Sequence, residues 1–267
     1  MGPFFRSCTS RGPNTDKRRR RRRRMNSTSR NRIIRKKTKP VGKVSTSAIK
    51  SLSGDLLIEV LARVGSSSFT DLYNAKLCCR EFLGAVEDDY ILQKVSMDKF
   101  PIIPWTPSDE LISFLNRCKE SGNPEALYRQ GLIEYFSSLR TESGLENLKR
   151  AAEKGHAEAS YVYGIILVCK GGQLKQEGLK LLNAVMSSKP RSLRIKECRK
   201  RIKSIIWRMW IHNKMVPQQL PSCNGTDCCI RKIQTWDSED EEIDAMNCDA
   251  CRWNHEVISF CNMLHRG

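Results

Sequence analysis

The residues of this chain best suited to chemistry are cysteines near its C-terminal end. Cys223 is followed five residues on by Cys228 and then Cys229, and a second pair, Cys248-x2-Cys251, is followed by His255. Zinc favours four thiolate or imidazole ligands in a tetrahedron, and a C-x2-C turn sets two sulfurs on one ion without straining the backbone. Cys223, Cys228, Cys248 and Cys251 are therefore the expected ligands of a structural zinc. Cys229 and His255 compete for the same role, and buried reduced cysteine is the alternative. Metal binding would add on the order of 10 kcal/mol to the folding of an otherwise poorly hydrophobic tail. No histidine is placed by a motif that would activate a cysteine nucleophile, and His156 and His212 read as turn or surface residues. The expected chemistry is binding, and the chain is expected not to be an enzyme.

The elements that position such a tail lie upstream. Trp253, Val257, Ile258 and Phe260 predict a short helix after Cys251 that packs the tail onto the rest of the chain. In the middle the sequence repeats itself. Gly122 to Gly131 matches Gly155 to Gly164 at an offset of 33, and Gly144 to Leu148 matches Gly178 to Leu182 at an offset of 34. Such a period signals stacked helical pairs. Ala126, Ala151, Ala152 and Ala159 let helices approach closely, Tyr128, Leu148, Tyr161 and Leu182 fill the space between them, and the glycines fall at turns or close crossings. The stretch from Ala151 to Ala159 resembles the signature of Sel-type repeats, relatives of the tetratricopeptide repeat. After Pro190, Ile195, Cys198, Ile202, Ile205, Ile206 and Met209 form the apolar face of a capping helix whose other side is basic.

Ahead of the repeats, Leu52 to Met97 encodes three short amphipathic helices. Leu56, Leu57, Val60, Leu61 and Val64 make one wide apolar stripe, with Ser53 as N-cap and Gly65 with three serines as the stop. A second helix opens at Thr70 and Asp71, with Phe69 as a hydrophobic staple, and runs to Val86; a third follows Asp88. A unit of roughly 40 residues buries too little surface to stand alone, so a partner is implied. Leu52-Ser53, the helix Leu56 to Leu61, Asp71-Leu72, Cys79-Arg80-Glu81-Phe82 and Asp88 to Leu92 resemble the F-box. Ser53 stands where proline is usual and still serves as a cap; Phe82 stands where tryptophan is usual and still fills an aromatic slot.

An F-box followed by helical repeats is similar to plant F-box proteins with tetratricopeptide-like repeats, the substrate adaptors of SCF ubiquitin ligases. The resemblance implies docking on a Skp-type adaptor within a cullin complex through Leu52, Leu56, Leu57, Val60, Leu61, Leu72, Cys79 and Phe82. It also implies that the repeats hold a target protein, whose identity one chain does not disclose.

The formal net charge of +18 is concentrated in one tail. Residues 1–50 hold 18 Lys and Arg against the single acid Asp16, which leaves 29 bases against 28 acids in the remainder. Lys17, Arg18, Arg19, Arg20, Arg21, Arg22, Arg23 and Arg24 form an unbroken run, expected to be disordered and to serve as a nuclear localisation signal. Without interleaved aromatic residues it would bind nucleic acid only nonspecifically, and a nuclear nucleic-acid-associated zinc protein is the alternative reading. No secretory signal is visible and no apolar run approaches the roughly 18 residues of a membrane span, so no membrane partner is expected. The expected location is the nucleus, the cytoplasm or both. The expected architecture is all-α: a basic tail over residues 1–47, an F-box over 48–98, a repeat array with its capping helix over 108–216, and a cysteine-rich tail over 221–267.

Overall fold

The structure, a computed structural model, describes residues 52–104, 106–186, 191–217 and 248–266. The basic run Lys17 to Arg24 and the residues Cys223, Cys228 and Cys229 lie outside them. Among the described residues every regular element is a helix.

The first helix, α1 (Gly54–Ser67), carries Asp55 in its first turn, and Ser53 occupies the N-cap position without a side-chain bond. The helix continues through Gly65 instead of ending there. A Cβ on Gly65 would stand 2.9 Å from Leu72 Cδ2, so the missing side chain admits the next helix rather than stopping the first. Ser68 caps α2 (Phe69–Lys76) by accepting from the Asp71 amide, which makes Phe69 the first helical residue and not a staple ahead of the cap. The single second helix expected to reach Val86 is two helices. Leu77 and Cys78 donate to carbonyls only three residues back, tightening and closing α2, and the extended Cys79 begins α3 (Arg80–Ala85). Asp88 caps α4 (Asp89–Lys94) by accepting from the Tyr90 amide.

These four helices bury Leu61, Ala62, Leu72, Val86, Ile91, Leu92, Val95 and Met97 in one core, which Cys118 and Ala126 of the following helices complete. The rings of Phe69, Phe100 and Phe114 meet with centroids 4.6 to 5.4 Å apart, so α5 (Asp109–Glu120) closes the module from below. The module borrows part of its core from the array.

The array has a repeating geometry to match its sequence. Helices α6 (Pro124–Leu132) and α7 (Thr141–Glu153) pair, as do α8 (Ala157–Lys170) and α9 (Leu174–Met186). In the first pair a Cβ on Gly131 would lie 2.8 Å from Leu148 Cγ and 3.1 Å from the Gly144 carbonyl. In the second, a Cβ on Gly164 would lie 2.8 Å from Leu182 Cγ and 3.1 Å from the Gly178 carbonyl. Each pair therefore crosses glycine on glycine, backbone against backbone. Gly122 and Gly155 hold φ of 81° and 82°, and the amides that follow them reach back to Cys118 and Ala151, five residues away. This is the left-handed helix ending that glycine favours. Its occurrence at Gly122 makes α5 the equivalent of α7, so the array begins one helix before the first complete pair.

The array differs from the sequence expectation at one point. After Leu132 the chain makes a π-helical turn over Ile133–Ser137, where Ser138 donates to the Ile133 carbonyl. Leu139 follows at φ 56°. Helix α10 (Arg191–Ile206) buries Ile195, Cys198, Ile202, Ile205 and Ile206 against the second pair, with Met209 just beyond it. Helix α11 (Asp249–Arg266) is longer than the short helix anticipated, and buries Trp253, Val257, Phe260 and Leu264 in the same core.

Candidate functional site

The residues expected to meet a partner divide between two sides of one small module. Leu52, Leu56 and Val60 follow one another at intervals of four, which aligns them on one side of α1 and the turn before it. All three face solvent, Leu56 at 55% and Val60 at 50% exposure. Leu61 and Leu72 are only 2% exposed and belong to the core. Leu57 and Phe82 on α3 are half-buried against that core, and Cys79 at the N-cap of α3 is half-buried. The apolar stripe read as one surface is thus two: an inner face that holds the module together and an outer face that nothing among the described residues covers. Tyr73, Leu77 and Leu83 are exposed on the neighbouring helices and turn, and a period-based reading of α1 alone does not point to Tyr73 or Leu77.

Polar side chains border the outer face. Glu59 accepts from the Tyr90 hydroxyl at 2.7 Å and from Arg63 Nε at 2.9 Å. The Tyr90 hydrogen bond, reinforced by Arg63, holds the Glu59 carboxyl below the ordinary glutamate range. Lys94 lies over the Tyr90 ring with its Nζ 4.0 Å from the centroid. An exposed apolar stripe with a charged border has the composition of a protein-docking surface.

The module is joined to the array by hydrogen bonds from buried side chains. Asn123 caps α6 by accepting from the amides of Glu125 and Ala126, and its Nδ2 donates to the carbonyls of Leu92 and Val95 at 2.9 Å each. Arg129 donates to the carbonyls of Met97 and Phe100 at 3.2 and 3.1 Å. Glu87 of the module pairs with Lys76 at 2.8 Å and with Arg117 of α5, and these two hydrogen bonds lower its pKa.

Behind the joint, Glu125 accepts from Arg129 Nε at 2.7 Å and from His156 at 2.8 Å, with Arg201 at 3.3 Å. His156 caps α8 with Nδ1 accepting from the Ala159 amide, so Nε2 carries the proton donated to Glu125. Burial pushes the Glu125 carboxyl up, but the His156 hydrogen bond and the Arg129 charge outweigh it and hold the pKa at about 2. His156 is a turn residue, as its sequence position suggests, and also a structural bond. A cleft of about 520 Å³ opens beside this joint, lined among others by Lys94, Asp98, Asn123, Glu125, Lys154 and Arg201.

Of the four expected zinc ligands, Cys248 and Cys251 are described. They stand half-buried at the N-terminal end of α11. Among the described residues no group of three or more His, Cys, Asp or Glu side chains is gathered for a metal. The other two expected ligands, Cys223 and Cys228, are not among those residues.

Comparison with known proteins agrees with both halves of this architecture. The family model for plant tetratrico peptide repeats matches residues 97–207. The Arabidopsis thaliana F-box protein At2g35280 is 31% identical over 129 residues, which span 48% of this chain and 78% of that protein. The candidate F-box protein At1g67623 from the same plant is 35% identical over 183 residues, 68% of this chain and 61% of its own length. The F-box protein At1g67340, also from Arabidopsis thaliana, is 28% identical over 142 residues, and the chain spans 38% of it. No solved structure matches the chain.

Proposed function

Because this chain belongs to the plant F-box proteins, in a form with tetratricopeptide-type repeats, we propose that it is the substrate-recognition subunit of an SCF-type ubiquitin ligase. In this reading the outer stripe of Leu52, Leu56 and Val60 docks on a Skp-type adaptor, and the repeats hold the target. The single observation that carries the reading is that stripe, apolar and left uncovered by the described residues on a module whose core is already closed with the help of the following helices. No bond is made or broken by side chains of this chain. Its contribution is to raise the effective concentration of target lysines near a conjugating enzyme held elsewhere in the complex. The joint made by Asn123, Arg129 and Arg117 supports that role, since a target held on a fixed arm samples fewer positions than one on a flexible linker.

The double substitution Leu56→Asp with Val60→Asp tests the reading by co-purification with a Skp-type adaptor. Both side chains are exposed, so the variant folds, and it is expected to lose adaptor binding by about a hundredfold or more, as for the loss of an interface centre. Undiminished binding would refute the proposed face. We further propose that Cys248 and Cys251 complete a zinc site with Cys223 and Cys228. Native mass spectrometry of the purified chain should then show one zinc per molecule, lost in Cys248→Ser; a metal-free mass would remove the site.

A further inference from the structure

Two tryptophans stand in solvent just beyond α10: Trp207 is 63% and Trp210 is 71% exposed. An indole is among the largest apolar groups a protein can bury, and two left out within four residues mark a surface meant to be covered. Val216 and Leu139 are exposed as well. His212 bonds the Ser137 carbonyl and Asn213 bonds the Tyr135 carbonyl at 3.1 Å, which brings residues 210–213 alongside the turn that carries Leu139.

The surroundings are basic. Lys200, Lys203 and Trp207 fall at intervals of three and four and so share one helical side, with Lys203 Nζ 4.6 Å from the centroid of the Trp207 ring. Arg208, next in the chain to Trp207, and Lys214 are exposed as well. Over residues 195–217 the sequence has seven Lys or Arg and one acid, Glu197. Of the seven, Arg199 is buried and paired with Glu256, and the partly exposed Arg201 is paired with Glu125 and Glu158.

From this we infer that the Trp207 and Trp210 surface docks an acidic segment of a partner protein, whose carboxylates meet Lys200, Lys203, Arg208 and Lys214 while an apolar side chain seats on the indoles. Charge complementarity selects the sign of the partner. Protein is favoured over single-stranded nucleic acid because base stacking needs open ring faces, and Lys203 already covers one face of Trp207. The surface does not depend on the ligase reading. Its role as the place where a ubiquitination target is held rests on that reading.

Fluorescence anisotropy on the full chain tests the inference with three labelled probes: a peptide of alternating Glu and Leu, the same peptide with Gln for Glu, and oligouridine. The Glu peptide is expected to bind, and the Gln peptide at least about tenfold more weakly. Trp207→Ala with Trp210→Ala, and separately Lys203→Gln with Arg208→Gln, are each expected to weaken the Glu peptide by about tenfold or more. Because Trp207, Trp210 and Arg208 are exposed and Lys203 is only half-buried, far-UV circular dichroism of both variants should match the parent. Equal peptide binding by parent and tryptophan variant overturns the inference. So does oligouridine binding that is lost in that variant while the peptide does not bind. Tighter peptide binding after the six acids from Asp237 to Asp244 are changed to amides overturns it too, since the resident occupant would then be the chain itself. Peptide binding without any adaptor binding supports this surface and defeats the ligase reading alone.

Discussion

At the residue scale, Glu125 ties together distant parts of the array. It joins Arg129, His156 and Arg201, drawn from α6, the start of α8 and α10. Its pKa is held at about 2 against an ordinary 4.5, so the folded state favours the ionised form. A depressed value contributes stability that is fully present above pH 4.5 and is lost as the pH falls toward 2. Thermal unfolding followed from pH 5 to pH 2 should show this loss. Glu125→Gln should be less stable than the parent at pH 7, with the gap closing toward pH 2; a gap unchanged with pH would exclude the assignment. Leu56 and Leu61 make the complementary point. Five residues apart on one helix, they take opposite roles, and Leu61→Ala should cost about 2 to 5 kcal/mol in chemical denaturation where Leu56→Ala costs less than about 0.5 kcal/mol.

At the scale of elements, the glycine crossings set how closely each helical pair packs. A Cβ on Gly144 would meet the Tyr135 backbone nitrogen at 2.5 Å, and backbone cannot turn aside as a side chain can. Alanine is the better helix former by up to about 1 kcal/mol, yet overpacking against backbone outweighs that gain. Gly144→Ala should therefore destabilise the chain by about 2 kcal/mol or more in urea denaturation. Gly54→Ala provides the contrast, because nothing lies within 4 Å of the added carbon and the helix should gain a few tenths of a kcal/mol. Stability of the two variants moving in the same direction would count against the crossing argument.

At the scale of the whole described fold, the C-terminal helix is secured by one buried ion pair within a hydrophobic contact. Glu256 on α11 is 1% exposed, pairs with Arg199 of α10 through both oxygens, and also accepts from the Tyr161 hydroxyl of α8. Burial, with the Glu256 charge beside it, drives the Tyr161 pKa well above its ordinary value, so the hydroxyl remains a donor. Trp253 Nε1 adds a bond to Asn183 Oδ1 at 3.0 Å. Glu256→Gln leaves Arg199 as a buried charge without its counterion and should cost about 3 to 5 kcal/mol. Limited proteolysis should then release α11 before the repeats are cut; cleavage at the parent's rate would show that apolar packing alone holds the helix.

The sequence by itself determined the all-helical class, the positions of the repeats and the F-box resemblance. Those rest on local periodicity and on small residues recurring at offsets of 33 and 34, which a chain carries without being folded. The apolar faces of α10 and α11 were legible for the same reason, except that Ile258, expected to pack, is exposed. Only tertiary structure decided which side of α1 is inner and which is outer, because a stripe that wide is compatible with either until Ile91 and Phe114 occupy one side of it. It also decided that Gly65 is a contact rather than a stop, and that the second helix breaks at Leu77, where the packing of α3 competes with helix continuation. Apart from Arg129, the partners of Glu125 and Glu256 lie from 31 to 95 positions away, and no local pattern announces a partner that distant.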